Sequence, residues 1–506
     1  MLLSYLLPQP RDILFIGVFF SIVFGGPRLF NNDGDLGRHI TIGNYILETG
    51  TIPTRDIFSH TLPGEQLVPH EWVAQVLFAL AHRIMGLSGD VLLAALLGSL
   101  TILIVYEELI KRGTLRLVAL FISALVAVVS SVHWLARPHM FTFFFVALWA
   151  YALEHFYKNV NQRIWFFPLL MLIWVNTHGA FIAGFVILGA YVADWLWEYF
   201  QGRATKTMGW QLLLVGFLSF AVTFINPSGW YLWGTSVGYV SNDFMTSHTV
   251  EYLSPDFHER DVWPFMFMVA FALFALMQDR KIYMREALLL AGWTVMSLYS
   301  VRNLPLFAVI TAPTYAALIQ DWIEKLLHWL KPAHPEQGRH LHQAQVQVRT
   351  GPRESENMLR GYVWVVAAIL FFGFVLWRGI PIDQKGTGNI WLPDKMPVQA
   401  VDWLEQNPQE GKIFNQFVWG GYLLYRMWPE QVVFIDGQTD FYGETLMREY
   451  IEVITLTDGW EEILTRHDVA WMLIPRNEML ARHLYGDENW NKIYEDDTAV
   501  IYRRNN

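Results

Sequence analysis

The sequence predicts a polytopic α-helical membrane protein of about eleven transmembrane helices, followed by a C-terminal α/β domain. Of its 506 residues, 53% are hydrophobic and 16% are charged, whereas a typical soluble domain has about 25% charged residues. Apolar runs of roughly 20 residues, long enough to cross a bilayer core, recur before residue 380. Beyond residue 395, short predicted strands alternate with helical stretches. These features exclude a single soluble globule, a disordered chain and a nucleic-acid binder.

The apolar runs define the predicted spans. The first follows Arg11 and lacks a small-residue cleavage site, which favours an uncleaved span over a secretory signal. The chain has no cysteine, so disulfides and Cys-ligated zinc are excluded. The eleven predicted spans are approximately 13–30, 90–110, 115–135, 139–157, 164–177, 178–200, 208–225, 262–278, 286–301, 303–321 and 361–379.

The topology depends on residues 71–87, which are apolar but contain Glu71, Gln75, His82 and Arg83. If this segment is an interfacial helix and the N-terminus is cytoplasmic, the inside loops carry 17 Lys and Arg residues and the outside loops before the last span carry seven. If the segment spans, most of this positive charge moves outside, against the positive-inside rule. We therefore expect a multi-pass membrane protein with its N-terminus inside and its C-terminal domain outside.

This topology divides the chain into a transmembrane body, 1–379, and an external soluble α/β domain, 380–506. A first external loop with interfacial helices covers 31–89, a second external loop covers about 226–261, and a cytoplasmic linker covers 322–360. From residue 380 onward there are 11 Lys or Arg and 21 Asp or Glu residues. The whole formal net charge of −10 therefore belongs to the predicted external domain, and the membrane body is neutral.

The last 110 residues predict alternating elements of a small α/β layer. Asp436-Gly437 and Asp440 follow the end of a predicted strand, where open α/β sheets commonly place ligands. A turn is the simpler interpretation, because Asp-Gly is a frequent turn pair. The predicted strands are Lys412–Phe414, Val432–Ile435, Ala470–Ile474 and Val500–Tyr502, and the predicted helices are Val398–Gln406, Tyr422–Met427, 443–455 and 459–466.

Unusual polar residues gather in the predicted external loops. Ionisable groups at membrane depth are costly and usually mark sites or pathways. The cytoplasmic loops show ordinary Lys and Arg flanks and no comparable mixture of acids, His and Asn. The external set comprises Asp33, Asp35, Arg38, His39, His70, Glu71, Arg137, His139, Asn176, His178, Asn226, Glu251, Asp256 and Arg302.

These residues have both a functional and a purely structural interpretation. In Asp33-Gly34-Asp35, one carboxylate could take a proton from an acceptor hydroxyl while another coordinates a divalent cation, although such a triplet also occurs in turns. Glu71 could be a second acid or a metal ligand, or an acid that stabilises a helix N-terminus. Arg137 and Arg302 suit a phosphate, or the membrane interface. Packing and helix-ending turns are the alternatives for His178 and Asn226.

A set of motifs carries a resemblance over nearly the whole chain. An N-in first span followed by a long external loop that opens with acids resembles the polyprenyl-phosphate-dependent glycosyltransferases of the GT-C superfamily, and in particular a largely uncharacterised bacterial group. The motifs are DGDLGRH at Asp33–His39, GTIPTRDIFS at Gly50–Ser59, HEW at His70–Trp72, ARP at Ala136–Pro138, WVNTHG at Trp174–Gly179, NPSG at Asn226–Gly229, SPDF at Ser254–Phe257, WGGY at Trp419–Tyr422 and FIDGQTD at Phe434–Asp440.

The resemblance implies inverting transfer of a sugar from a polyprenyl-phosphate-linked donor to an acceptor hydroxyl at the external membrane face. Asp33 or Asp35 would be the catalytic base. Glu71 resembles the acid that faces a metal or the donor phosphate in aminoarabinose and protein mannosyl transferases, so Asp35 and Glu71 are the candidate ligands of Mg²⁺, Mn²⁺ or Zn²⁺. The acceptor would be a glycan, a lipid or a protein. The alternatives are a non-catalytic membrane scaffold and a transporter of a lipid-linked solute.

Overall fold

The computed structural model describes residues 7–32, 34–158, 163–276, 282–329 and 361–505. Helices dominate up to residue 377, and a small mixed layer follows. The α-helices of the body are Pro10–Gly25, Arg28–Asn31, Asp35–Thr49, Trp72–Met85, Leu87–Lys111, Arg116–Ser130, His139–Lys158, Phe166–Val175, Ile182–Phe200, Lys206–Val222, Tyr231–Val240, Asp243–His248, Trp263–Leu276, Met284–Tyr299, Leu304–Trp329 and Tyr362–Trp377.

A helix overlaps each of the eleven predicted spans. By length and composition, five helices of the described chain are suited to cross a membrane, and four further apolar helices are shorter. The number of crossings therefore stays a prediction. The helix from Leu304 continues to Trp329, into the segment predicted as linker; the bounds of the linker stay a prediction, and its remainder, 330–360, lies outside the described residues. The five long apolar segments are Leu87–Lys111, Arg116–His133, His139–Lys158, Gly179–Phe200 and Val301–Leu326.

The first loop contains two helices that pack against each other, Asp35–Thr49 and Trp72–Met85. Gly43 makes this approach possible, because a Cβ there would lie 2.1 Å from the carbonyl oxygen of Gln75. The first helix ends at Gly50, which adopts the left-handed conformation (φ +67°) that glycine tolerates best. The segment 71–87 thus forms the helix that the sequence predicts.

The C-terminal layer contains a four-stranded sheet. Its strands are β1 (Lys412–Asn415), β2 (Val469–Pro475), β3 (Trp490–Glu495) and β4 (Ala499–Arg504), and they lie in the order β1-β2-β4-β3. Strand β1 is parallel to β2, and the other pairs are antiparallel. The helices of the layer are Val398–Gln406, Gly420–Met427, Thr439–Ile454, Trp460–Arg466 and Met479–Leu484.

Strand side chains alternate between two apolar clusters, as a period of two requires. Trp471 and Leu473 on β2 and Ile501 on β4 belong to the cluster that also fills the helical body. Met472 on β2 belongs to a second cluster on the other face of the sheet. The layer is therefore packed against the body through one face of its sheet, and the boundary predicted near residue 380 stays a proposal.

The prediction of a strand at Val432–Ile435 is wrong. Val433 makes only an isolated bridge to Ser59, and the buried Asn415 side chain accepts a hydrogen bond from Phe434 N and donates one to Ile435 O, both at 2.8 Å. A side chain thus takes the place of a neighbouring strand. Strand β3 and the helix Met479–Leu484 were not predicted, because each has only six residues and so shows little periodicity.

Candidate active site

Most of the predicted site residues converge where the first loop meets the C-terminal layer. The helix Asp35–Thr49 approaches the helix Gly420–Met427 closely, since a Cβ on Gly37 would lie 2.4 Å from Gly421 O and a Cβ on Gly421 would lie 2.3 Å from Gly34 O. Paired glycines of the DGDLGRH and WGGY motifs therefore let two backbones touch. This contact brings Asp35 and Arg38 under the C-terminal layer.

Asp35 is held by an arginine from the body. Its Oδ2 lies 2.6 Å from Nη2 of Arg137, and Arg137 Nη1 donates a hydrogen bond of 2.7 Å to Glu251 Oε1. One guanidinium thus bridges the carboxylates of the first and second loops. Charge-assisted bonds of this kind fix orientation as well as adding attraction.

Glu251 is also faced by Arg302, whose Nη1 lies 3.8 Å from Glu251 Oε2 and donates a 2.9 Å hydrogen bond to the hydroxyl of Tyr252. Burial opposes ionisation of Glu251, but Arg137 and Arg302 outweigh it and hold the pKa of this carboxyl well below its usual value. Glu251 is therefore ionised at neutral pH, and the two guanidinium groups stay beside each other because it lies between them.

Glu71 lies among three histidines. His178 Nε2 is 3.7 Å from Glu71 Oε1, His70 Nε2 is 3.9 Å from the same oxygen, and His39 Nδ1 is 3.9 Å from Oε2. These separations are too long for direct hydrogen bonds. Burial, aided by Arg38 and Arg137, lowers the pKa of His39 well below its ordinary value, so His39 is neutral at neutral pH.

The C-terminal layer supplies two further acids, Asp436 and Asp440, which were not among the predicted site residues. Arg38 Nη1 donates a 2.8 Å hydrogen bond to Gln438 Oε1, Arg38 Nε lies 3.7 Å from Asp436 Oδ1, and His70 Nδ1 lies 3.9 Å from Asp440 Oδ2. Burial raises the pKa of Asp436 to about 6 despite the nearby Arg38. The sequence signal for these acids was the FIDGQTD motif, which follows an apolar run. A turn was the simpler interpretation of that motif.

Several predicted residues lie in supporting positions. His139 Nε2 is 2.8 Å from the backbone oxygen of His133, and His133, which the sequence analysis missed, lies 3.8 Å from Glu251. The Asn176 side chain accepts a hydrogen bond from Trp72 Nε1 and donates to two backbone carbonyls. Asn176 therefore anchors the start of the Trp72 helix, and its role in substrate binding stays a prediction.

Asn226 and Asp256 form local turns. Asn226 accepts a hydrogen bond from Ser228 N and donates to Thr223 O and Gly229 O, and the exposed Asp256 accepts one from His258 N. These contacts favour the helix-ending turn for Asn226 and give Asp256 a turn role as well. Asp33 lies outside the described residues.

The prediction of a metal on Asp35 and Glu71 gains no support from the geometry. Asp35 is engaged by Arg137, whereas Glu71 faces histidines at 3.7–3.9 Å. Within the described residues no group of three His, Asp or Glu side chains is arranged to hold a metal ion. Neither Asp35 nor Glu71 is therefore assigned a metal-binding role.

Comparison with solved structures gives the fold. The chain superposes on the apo oligosaccharyltransferase of Archaeoglobus fulgidus with a TM-score of 0.60 and 14% identity, covering 92% of this chain and 69% of that one. The same archaeal protein, AglB, in complex with an inhibitory peptide and a dolichol-phosphate gives 0.60 and 13% identity over 98% of this chain and 74% of that one.

A second solved protein is similar over its whole length. Apo ArnT from Cupriavidus metallidurans has a TM-score of 0.51 and 13% identity, with 97% of each chain covered. No protein-family model matches the chain, and no curated protein sequence matches it either. At these identities the likeness concerns the fold: the chain is a GT-C-fold membrane protein with a C-terminal sheet layer.

Proposed function

We propose that this protein transfers a sugar from a polyprenyl-phosphate-linked donor to an acceptor hydroxyl, with inversion, at the external face of the bacterial inner membrane. The supporting observation is Asp35, a carboxylate held by Arg137 in a mostly buried cluster that also contains Arg38, Arg302 and Glu71. The GT-C fold supports the general kind of reaction, and the donor and acceptor belong to the proposal.

The proposed reaction needs one base and one anion-binding group. Asp35 accepts the proton of the acceptor hydroxyl as its oxygen attacks the anomeric carbon of the sugar. The bond from that carbon to the phosphate oxygen breaks, and the electron pair leaves with the phosphate. Attack from the side opposite the phosphate inverts the anomeric centre. A positioned base of this kind contributes roughly 10²–10⁴-fold to a rate.

Three arginines of this cluster are proposed to contact the phosphate. Arg137 and Arg302 flank Glu251, and Arg38 lies beneath the C-terminal layer. Arginine suits this role because its planar group offers several N–H donors to phosphate oxygens. Glu71 would orient His70 and His178 around the same space, as a second acid of the site.

The test is transfer by the full-length protein in lipid nanodiscs, supplied with a panel of undecaprenyl-phosphate-linked hexoses and membrane glycan or lipid acceptors. Release of undecaprenyl phosphate and the mass increase of the acceptor are measured. We expect Asp35→Asn or Asp33→Asn to lower transfer by at least about 10²-fold, and Glu71→Gln to lower it less.

Asp261→Asn is the matched control, because Asp261 is an exposed carboxylate of the second predicted external loop and is not among the predicted site residues. It should retain transfer within twofold. If neither Asp33 nor Asp35 matters in a folded preparation, the assignment of the base is wrong. If the wild type releases no undecaprenyl phosphate from any donor, the scaffold alternative replaces the transferase.

A further inference from the structure

A loop of the C-terminal layer, Asp436–Asp440, lies directly over the first-loop helix; we refer to it as the DGQTD loop. Gly437 touches the predicted base, since a Cβ there would lie only 1.7 Å from Asp35 Oδ1. Gln438 accepts the hydrogen bond from Arg38, and Asp440 faces His70. The loop thus contacts three residues that the sequence analysis assigned to the site.

The start of the DGQTD loop is fixed from two sides. On one side, Asn415 of β1 holds the backbone of Phe434 and Ile435. On the other side, two hydrogen bonds join it to the first loop. Thr61 Oγ1 donates a 2.8 Å hydrogen bond to Phe434 O, and Val433 N donates to Phe58 O at 3.1 Å. Asp436 Oδ1 then accepts a 2.8 Å bond from Gln438 N, which closes the turn. Such support is what a precisely oriented ligand-binding group requires.

Arg38 is buried, and part of its guanidinium group makes no hydrogen bond within the described residues. It is 4% exposed, and its hydrogen bond to Gln438 occupies Nη1. Its Nε has no hydrogen-bond partner among the described residues, and the separations to Asp436 (3.7 Å) and Glu71 (3.8 Å) exceed hydrogen-bond length. A buried N–H without an acceptor is unfavourable, because it has given up its hydrogen bond to water. This cost is recovered when an acceptor such as a phosphate oxygen arrives.

We propose that Asp436 and Gln438 are positioning residues, which orient the Arg38 guanidinium so that its remaining N–H groups receive a phosphate. The C-terminal layer then completes the site and is more than a cover over it. The identification of this phosphate as that of a polyprenyl lipid rests on the proposed function, whereas the positioning of Arg38 does not.

The first test measures binding by the full-length protein in nanodiscs, with undecaprenyl phosphate as the probe and inorganic phosphate as a competitor. Gln438→Leu removes the acceptor of the Arg38 bond at similar volume, and we expect about tenfold weaker binding of undecaprenyl phosphate. Asp436→Asn should weaken binding by about threefold or more. Asp402→Asn, an exposed carboxylate of the same layer that pairs with Arg426, is the control and should change affinity by less than twofold.

A double-mutant cycle separates positioning from a general structural effect. If Gln438 acts through Arg38, the effect of Gln438→Leu should fall below threefold in an Arg38→Met background. An equal tenfold effect in both backgrounds would overturn the proposal. Gln438→Asn, which withdraws the acceptor by one methylene, provides a second variant if Gln438→Leu does not fold.

The outcomes also separate this inference from the proposed function. If the wild type binds undecaprenyl phosphate but Gln438→Leu and Asp436→Asn behave like Asp402→Asn, the inference is wrong while the proposed function stands. If the variants weaken inorganic phosphate and undecaprenyl phosphate alike, and the two bind equally well, the positioning role holds and the lipid assignment fails. If the wild type binds neither probe, both are wrong.

Discussion

Two clusters of charged side chains lie at opposite ends of the helical body, and they are built differently. The helix His139–Lys158 connects them: Arg137 precedes its first turn, and Glu154 lies near its other end, about 25 Å away at 1.5 Å per residue. Likewise, Arg285 begins the helix Met284–Tyr299, and Arg302 follows its end. We call the distal set, Glu108, Arg112, Glu154, Asp194, Arg285 and Glu286, the distal cluster.

The distal cluster consists of close pairs between different helices. Arg285 Nη1 lies 2.6 Å from Asp194 Oδ2, Arg112 Nη2 lies 3.1 Å from Glu154 Oε2, and Tyr191 donates a 2.9 Å hydrogen bond to Glu154. In the candidate site, Arg137 makes similarly short pairs with Asp35 and Glu251. Arg38 and Glu71, by contrast, face their charged partners at 3.7–3.9 Å. Short, mutual pairs join helices, whereas looser surroundings leave polar groups available to a ligand.

The distal cluster was not among the predicted polar sites. The prediction of ordinary Lys and Arg flanks concerned the loops, whereas Glu108, Glu154 and Asp194 are buried within the helices that lead to this end. Transport of a polar solute would use polar groups at both ends of the body, so this cluster is an observation in favour of the transporter alternative. Its tight pairing favours a structural role, and the predictions below distinguish the two ends.

The largest expected effect is on stability at the distal end. Arg285→Met leaves the buried carboxylates of Asp194 and Glu154 without one of their cations, and breaking such a pair costs about 3–5 kcal/mol. We expect this loss in the free energy of unfolding, measured by denaturation in detergent. Arg203→Met removes the partner of Glu198 at an exposed site and should leave the free energy of unfolding nearly unchanged, because solvent screens the pair. An Arg285→Met protein of wild-type stability that lost solute transport would instead support the transporter.

A smaller effect on stability, with a larger one on function, is expected at the candidate site. Gly437→Ala places a methyl group against the Asp35 carboxylate, which must displace the DGQTD loop or the acid. Overpacking of this kind costs about 1–3 kcal/mol, and transfer and undecaprenyl phosphate binding should fall by about tenfold or more. Gly292→Ala, where a Cβ meets open space, should leave both unchanged. Equal activity of the two variants would show that the loop does not border the site.

The smallest effect is a pH dependence at the site end. The pKa of Asp436 is raised to about 6 from 3.8, so between these values the folded protein binds the proton that the unfolded chain has lost. The contribution of Asp436 to stability therefore rises as the pH falls from 6 toward 4. We expect the difference in unfolding free energy between wild type and Asp436→Asn to change by up to about 2 kcal/mol over this range. A pH-independent difference would contradict the raised pKa.

The sequence alone could predict those features that depend on neighbouring residues. Hydrophobic runs fix helices because each helix satisfies its own backbone hydrogen bonds in an apolar medium, and helices do lie at all the predicted spans. The helix within 71–87 followed from the same local rules. Asp35, Arg38, Glu71, Arg137 and Glu251 could be selected because charged residues are unusual beside apolar runs.

Only the tertiary structure determined which of these residues come into contact. Arg38 and Gln438 are separated by 400 positions along the chain, and no periodicity connects them; the contact exists because glycines at 34, 37 and 421 let two helices touch. Val432–Ile435 has the composition of a strand, but its hydrogen bonds go to Asn415 and to the first loop. Local sequence determines elements through their own hydrogen bonds and apolar faces, whereas ion pairs between distant segments depend on how those faces pack.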